Sequence, residues 1–174
     1  MSKIHQLTLS AMFLALGLVL PFLTGQIPEI GSLLLPMHLP VFLCGLICSW
    51  RHGLALGALL PILRSLLFGM PPLYPKAIAM TFELAVYGFV AGFLYARAKK
   101  KSLFALYGSI LAAMLAGRAA WGLAQTVLLG LKDTPFSFSL FLSGAFLEAI
   151  PGILLQLILL PAVMLIVGKT KWKS

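Results

Sequence analysis

An all-α integral membrane protein, a bundle of six transmembrane helices with both termini on the inner side, follows from three features of the chain. The first is composition. The 174 residues are 61% hydrophobic and only 10% charged, where a soluble domain carries about 25% charged residues. Mean hydropathy is +1.05. The second is the set of continuous apolar runs, several of them near the ~20 residues a helix needs to cross a bilayer. None shows the alternation of a barrel strand. The third is the placement of the basic residues, which gather at the ends of the runs on one side.

The first run covers about 7–25 and reads as a span, because it lacks a small-x-small cleavage site followed by a polar mature domain. The second, about 32–50, carries Pro36 and Pro40 near its start. The third, about 53–69, is short and contains Pro61. The fourth covers about 76–96, and the fifth, about 103–130, is long enough to tilt. The sixth, about 138–168, contains Pro151 and Pro161 and either kinks or extends past the bilayer edge. Together they make one membrane domain over 1–174.

With both termini inside, Lys3, Arg51, Arg97, Lys99, Lys100, Lys101, Lys169, Lys171 and Lys173 fall on the cytoplasmic side, and only Lys76 and Lys132 fall outside. That bias sets the orientation. The net charge of +9 therefore belongs to membrane topology. It forms no groove with stacking aromatics, so nucleic acid is excluded as a partner. Cys44 and Cys48 share one face of the second run and read as small packing residues, since no further Cys or His completes a metal set.

Four ionisable residues remain inside the apolar runs: Arg64, Glu83, Arg118 and Glu148. Each costs at least about 2.5–3.5 kcal/mol to insert, so such groups face a protein interior or a wet cavity. All four, with His38, Trp121 and Gln125, map to the outer half of their spans. Groups gathered at one depth suit a binding site open to the exterior; a proton relay would spread them across the thickness. Arg118, Trp121 and Gln125 share one helical face and offer a cation, a stacking surface and an amide. The plain alternative is a structural bridge from Arg118 to Glu83 or Glu148. Gly144, Glu148, Gly152 and Gln156 form a second stripe, which helix packing alone would also explain. Glu83 and Tyr87 are one turn apart, with Glu83 placed to neutralise Arg64 or Arg118. His38, between two prolines, either faces the pocket or is a satisfied structural group.

The segments 24–31 and 69–75 are rich in turn formers and partly apolar. They read as pocket covers or as tight interfacial connections with Tyr74 as an anchor. Ala11 and Ala15 make a small-xxx-small pattern on the first span. No phosphate loop, metal cluster or nucleophile motif is present, so no cofactor and no covalent chemistry are expected.

The chain resembles the substrate-binding membrane subunits (S-components) of energy-coupling factor (ECF) transporters. The resemblance rests on size, six spans, inside termini and the Ala11-Met-Phe-Leu-Ala15 pattern of the first helix. It rests also on the stretch from Leu35 to Val41, followed by Gly45, Gly53 and Gly57, which is similar to vitamin-binding members, pantothenate-type ones in particular. It implies a multi-pass protein of the bacterial cytoplasmic membrane that binds a water-soluble vitamin beneath outer loops. Its implied partners are a membrane coupling subunit, met through Ala11 and Ala15, and two cytoplasmic ATPases. Pantothenate is the leading ligand, with a pyridoxine-like compound, a pyrimidine precursor or a cobalamin-related benzimidazole as alternatives. Arg64, Glu83, Arg118, Trp121, Gln125, Glu148 and His38 form the expected ligand set. Two other classes compete: a small membrane enzyme acting on lipid, and a stand-alone secondary transporter, for which no internal repeat is evident.

Overall fold

A computed structural model describes residues 2–24, 35–130 and 150–171. Helix α1 spans Lys3–Val19 and continues as a 3-10 turn over Leu20–Thr24. Its start is capped by Ser2, whose hydroxyl accepts the His5 N–H at 3.2 Å. Helix α2 covers His38–Ile47. Pro40 lies in its first turn, where a missing N–H removes no intrahelical bond. A two-residue corner at Cys48 and Ser49 leads into α3, Trp50–Phe68, with Ser49 as the cap. Gly69 ends α3 in the left-handed region, at φ 69°, and donates its N–H to the Ser65 carbonyl at 2.9 Å. A π-helical turn over Leu73–Ala77 then opens α4, Ile78–Arg97. Helix α5 spans Leu103–Gly130 and α6 spans Ile150–Lys171. Pro61 and Pro161 lie within α3 and α6 without ending them.

The described chain is thus helical apart from short connections, and five stretches are long and apolar enough to cross a membrane: Lys3–Leu23, Trp50–Phe68, Leu73–Arg97, Leu103–Gly130 and Ile150–Val167. The second predicted run appears as the ten-residue α2, shorter than expected at its N-terminal side. Residues 25–34 and 131–149 lie outside the described segments, and with them Glu148, Gly144 and most of the 24–31 connection.

Helix α4 is the axis of the bundle and packs on α2, α3 and α5. Glycines allow this closeness. A Cβ on Gly88 would fall 2.3 Å from the Gly53 carbonyl, one on Gly45 would fall 2.4 Å from the Gly88 oxygen, and one on Gly57 would fall 2.3 Å from the Leu84 oxygen. Helix backbones therefore touch across α2, α3 and α4, the geometry that small residues permit in membranes. Val41, Phe42, Cys44, Leu60, Leu84, Ala91 and Ile110 are fully buried around this contact. The Cys44 thiol donates to the Ser10 hydroxyl at 3.5 Å, and both cysteines are buried thiols outside any disulfide. Outward, the bundle presents Leu7, Met12, Leu16, Leu115, Leu123 and Ile158, an apolar wall suited to acyl chains.

Candidate functional site

The tight α2–α3–α4 contact holds Glu83 at a place where three other polar groups reach it. Glu83 lies five residues into α4 and is 2% exposed. One turn on, the Tyr87 hydroxyl donates to Glu83 Oε1 at 2.9 Å. From α5, Arg118 Nη1 lies 3.0 Å from the same oxygen. From the first residue of α2, His38 Nε2 lies at 3.6 Å. One carboxylate oxygen thus gathers groups from three helices. The Tyr87 ring stacks on Phe42 at 4.9 Å and tilts against His38 at 5.4 Å, which walls the cluster from below with aromatic surface.

Gly117 makes room for this arrangement. A Cβ there would lie 2.1 Å from Tyr87 Cε1 and 3.1 Å from the Glu83 carbonyl oxygen. Without it the Tyr87 ring passes α5 and reaches the carboxylate. The sequence reading missed Gly117; the signal that could have found it is a mid-helix glycine directly before an intramembrane arginine.

The cluster is only partly satisfied. Arg118 Nε and Nη2, both His38 ring nitrogens, Gln125 Oε1 and Gln156 Nε2 are buried without a hydrogen-bond partner among the described residues. Gln125 lies on the buried face of α5, seven residues or about 10 Å along the helix from Arg118. Gln156 shares the inward face of α6 with Ile153, Leu157 and Leu160, which pack on the Phe42–Tyr87 core. Trp121 is half-buried, one turn beyond Arg118. Leaving such groups without a partner costs about 1–3 kcal/mol each, so each buried orphan in a native fold needs a physical reason.

Arg64 stands apart. It is 2% exposed, but its Nη1 donates to the Leu18 carbonyl at 2.5 Å. Its guanidinium lies 5.1 Å from the Phe22 ring and 5.5 Å from the Phe68 ring. Of the two arginines offered as partners for Glu83, Arg118 is the one that pairs with it. The structure therefore brings together His38, Glu83 and Arg118, with Gln125 further along α5, and leaves Arg64 against α1. Glu148 lies outside the described residues. The Tyr74 hydroxyl, in the turn before α4, donates to the Leu128 carbonyl and ties the 69–77 connection onto the end of α5. Among the described residues no three His, Cys, Asp or Glu side chains converge in a way that could hold a metal ion.

Ala11 and Ala15 are exposed on α1, flanked by exposed Leu7, Met12 and Leu16. They form an apolar face with small residues at its centre.

A family model described as ECF transporter, substrate-specific component, matches residues 5–164. No curated protein and no solved structure matches the chain. Members of that family are multi-pass proteins of the cytoplasmic membrane that bind a small-molecule substrate for an ECF module and are not enzymes, which sets aside the lipid-modifying alternative. With nearly its whole length covered by that match, the chain belongs to the substrate-specific components of ECF transporters.

Proposed function

We propose that this subunit captures a water-soluble vitamin or vitamin precursor in the cluster formed by His38, Glu83, Tyr87 and Arg118, with Gln125, Gln156 and Trp121 along its length. The bundle has six spans with both termini inside, and the site lies toward the extracellular face. The observation that carries this reading is the set of buried, unpartnered polar atoms on Arg118, Gln125 and Gln156. A donor edge, an acceptor and a second donor, set among aromatic and aliphatic walls, are what a small polar ligand would complete. Their spread of about 10 Å along α5 favours an elongated molecule. Pantothenate fits that outline; a pyridoxine-like compound, a pyrimidine precursor or a benzimidazole remains the alternative. Arg64 is read here as a brace between α1 and α3, outside the ligand set.

The exposed Ala11–Ala15 face of α1 is the surface offered to the membrane coupling subunit, which works with two cytoplasmic ATPases. Small residues let a partner helix come close. Mass spectrometry of small molecules retained by the purified protein, followed by binding titration, tests the site. Arg118→Ala at wild-type affinity would show the pocket to be misplaced. Ala11→Trp with Ala15→Trp tests the docking face: assembly with the coupling module and uptake are both lost while ligand binding persists.

A further inference from the structure

Arg118 uses only one side of its guanidinium on Glu83, through Nη1 at 3.0 Å. The Nε–Nη2 edge is buried, with no partner for either atom among the described residues. That edge presents two parallel N–H donors and matches the two oxygens of one carboxylate. Filling it creates a charge problem. Arg118 and Glu83 already cancel, so a carboxylate brought into the cluster would add an uncompensated negative charge to a buried place.

His38 can remove that charge. It is 1% exposed, and its Nε2 lies 3.6 Å from Glu83 Oε1, longer than a good hydrogen bond. A proton on Nε2 would turn this approach into an ion pair. Among the described residues the charges that meet at the imidazole are Glu83 and, on the same Oε1, the Arg118 cation, which the incoming carboxylate would offset. From α4, Glu83 and Tyr87 face the imidazole. From α3, Arg64 turns away to Leu18, Phe22 and Phe68, while Arg51 stacks over Trp50 at the start of that helix. On α1, Lys3 and His5 are exposed in its first turn, and α6 offers the uncharged Gln156.

We infer that the substrate is a monocarboxylate seated on the Nε–Nη2 edge of Arg118, and that it is captured together with one proton, taken from solution onto His38. This rests on the ligand site proposed above. Two cations then face two anions, and the occupied cluster is neutral. No bond of the substrate breaks; the proton goes from water to the imidazole and returns on release.

The test uses the full-length protein in detergent. Pantothenate, nicotinate, biotin and lipoate are each compared with their primary carboxamides, and thiamine, riboflavin and pyridoxine serve as vitamins without a carboxylate. Thermal shift screens binding, and calorimetry in buffers of different ionisation enthalpy counts protons. The expected result is one acid that binds at least about 10-fold tighter than its amide, a gap set by the unpaired donor edge the amide leaves. It binds with uptake of close to one proton at alkaline pH, where Kd rises about tenfold per pH unit. His38→Gln weakens binding and abolishes both the proton uptake and the pH dependence; Arg118→Gln abolishes the preference for acid over amide. If a vitamin without a carboxylate binds and no acid does, the capture site stands and the carboxylate inference falls. If none of these compounds binds the wild-type protein, both readings fall. Acid binding without proton uptake, or uptake that persists in His38→Gln, overturns the assignment of the proton to His38.

Discussion

Arg64 and Arg118 are both buried cations on apolar helices, 2% and 5% exposed, and the protein treats them differently. Arg64 is covered by what its own neighbourhood supplies: a backbone carbonyl at the end of α1 and the faces of Phe22 and Phe68, themselves edge-to-face at 4.9 Å. Arg118 is neutralised by a carboxylate from another helix, and that carboxylate also holds Tyr87 and lies near His38. The first arrangement suits a side chain that stays put. The second leaves an edge of the guanidinium open. Two equally buried charges can therefore differ in kind, and the difference lies in which donors remain without acceptors.

The sharpest way to break this comparison is Glu83→Gln. It strips the partner from a buried Arg118 and is expected to destabilise the protein by about 3–5 kcal/mol. Adding Arg118→Met should restore much of that stability, because the orphaned charge is gone. Denaturant unfolding in detergent reads both. A single-mutant cost below about 1 kcal/mol would mean that Arg118 has another acceptor, and the contrast with Arg64 would dissolve.

Gly117→Ala comes next. Its Cβ would press on the Tyr87 ring and force that ring or α5 to move. Overpacking of this kind costs about 1–3 kcal/mol, and the Tyr87 bond to Glu83 should be lost with it. Thermal stability and ligand affinity should fall together; a fall in stability alone would separate the tyrosine from the site.

The smallest effect belongs to Arg64. Phe22→Leu with Phe68→Leu removes the aromatic faces at a cost of about 0.5–2 kcal/mol, while substrate affinity stays within about twofold, less than 0.5 kcal/mol. A larger loss of affinity in binding titrations would return Arg64 to the ligand set.

Much of the architecture was legible before any coordinate. Long apolar runs must close their backbone hydrogen bonds inside each segment, so a helical bundle follows from composition and run length alone. The spacing of Arg118 and Gln125 placed them on one face of α5, and both are buried there. The spacing of Glu83 and Tyr87, one turn apart, foreshadowed their hydrogen bond. Helix ends were less legible. α2 begins at His38, where the prolines at 36 and 40 interrupt the pattern, and a 3-10 turn extends α1.

What the residue string determined about this protein is therefore local and periodic: that it is a helical membrane protein, where its charges interrupt hydrocarbon, and which of them share a helix face. Periodicity fixes an angle around one helix axis but says nothing of how neighbouring helices are rotated against each other. Whether Glu83 meets Arg64 or Arg118 depends on that rotation. Contacts between Gly45, Gly53, Gly57 and Gly88 and neighbouring backbones set it by letting α2, α3 and α4 touch at one register. Only the assembled bundle could decide which arginine meets a backbone carbonyl and aromatic faces and which pairs with Glu83 and keeps a donor edge without a partner.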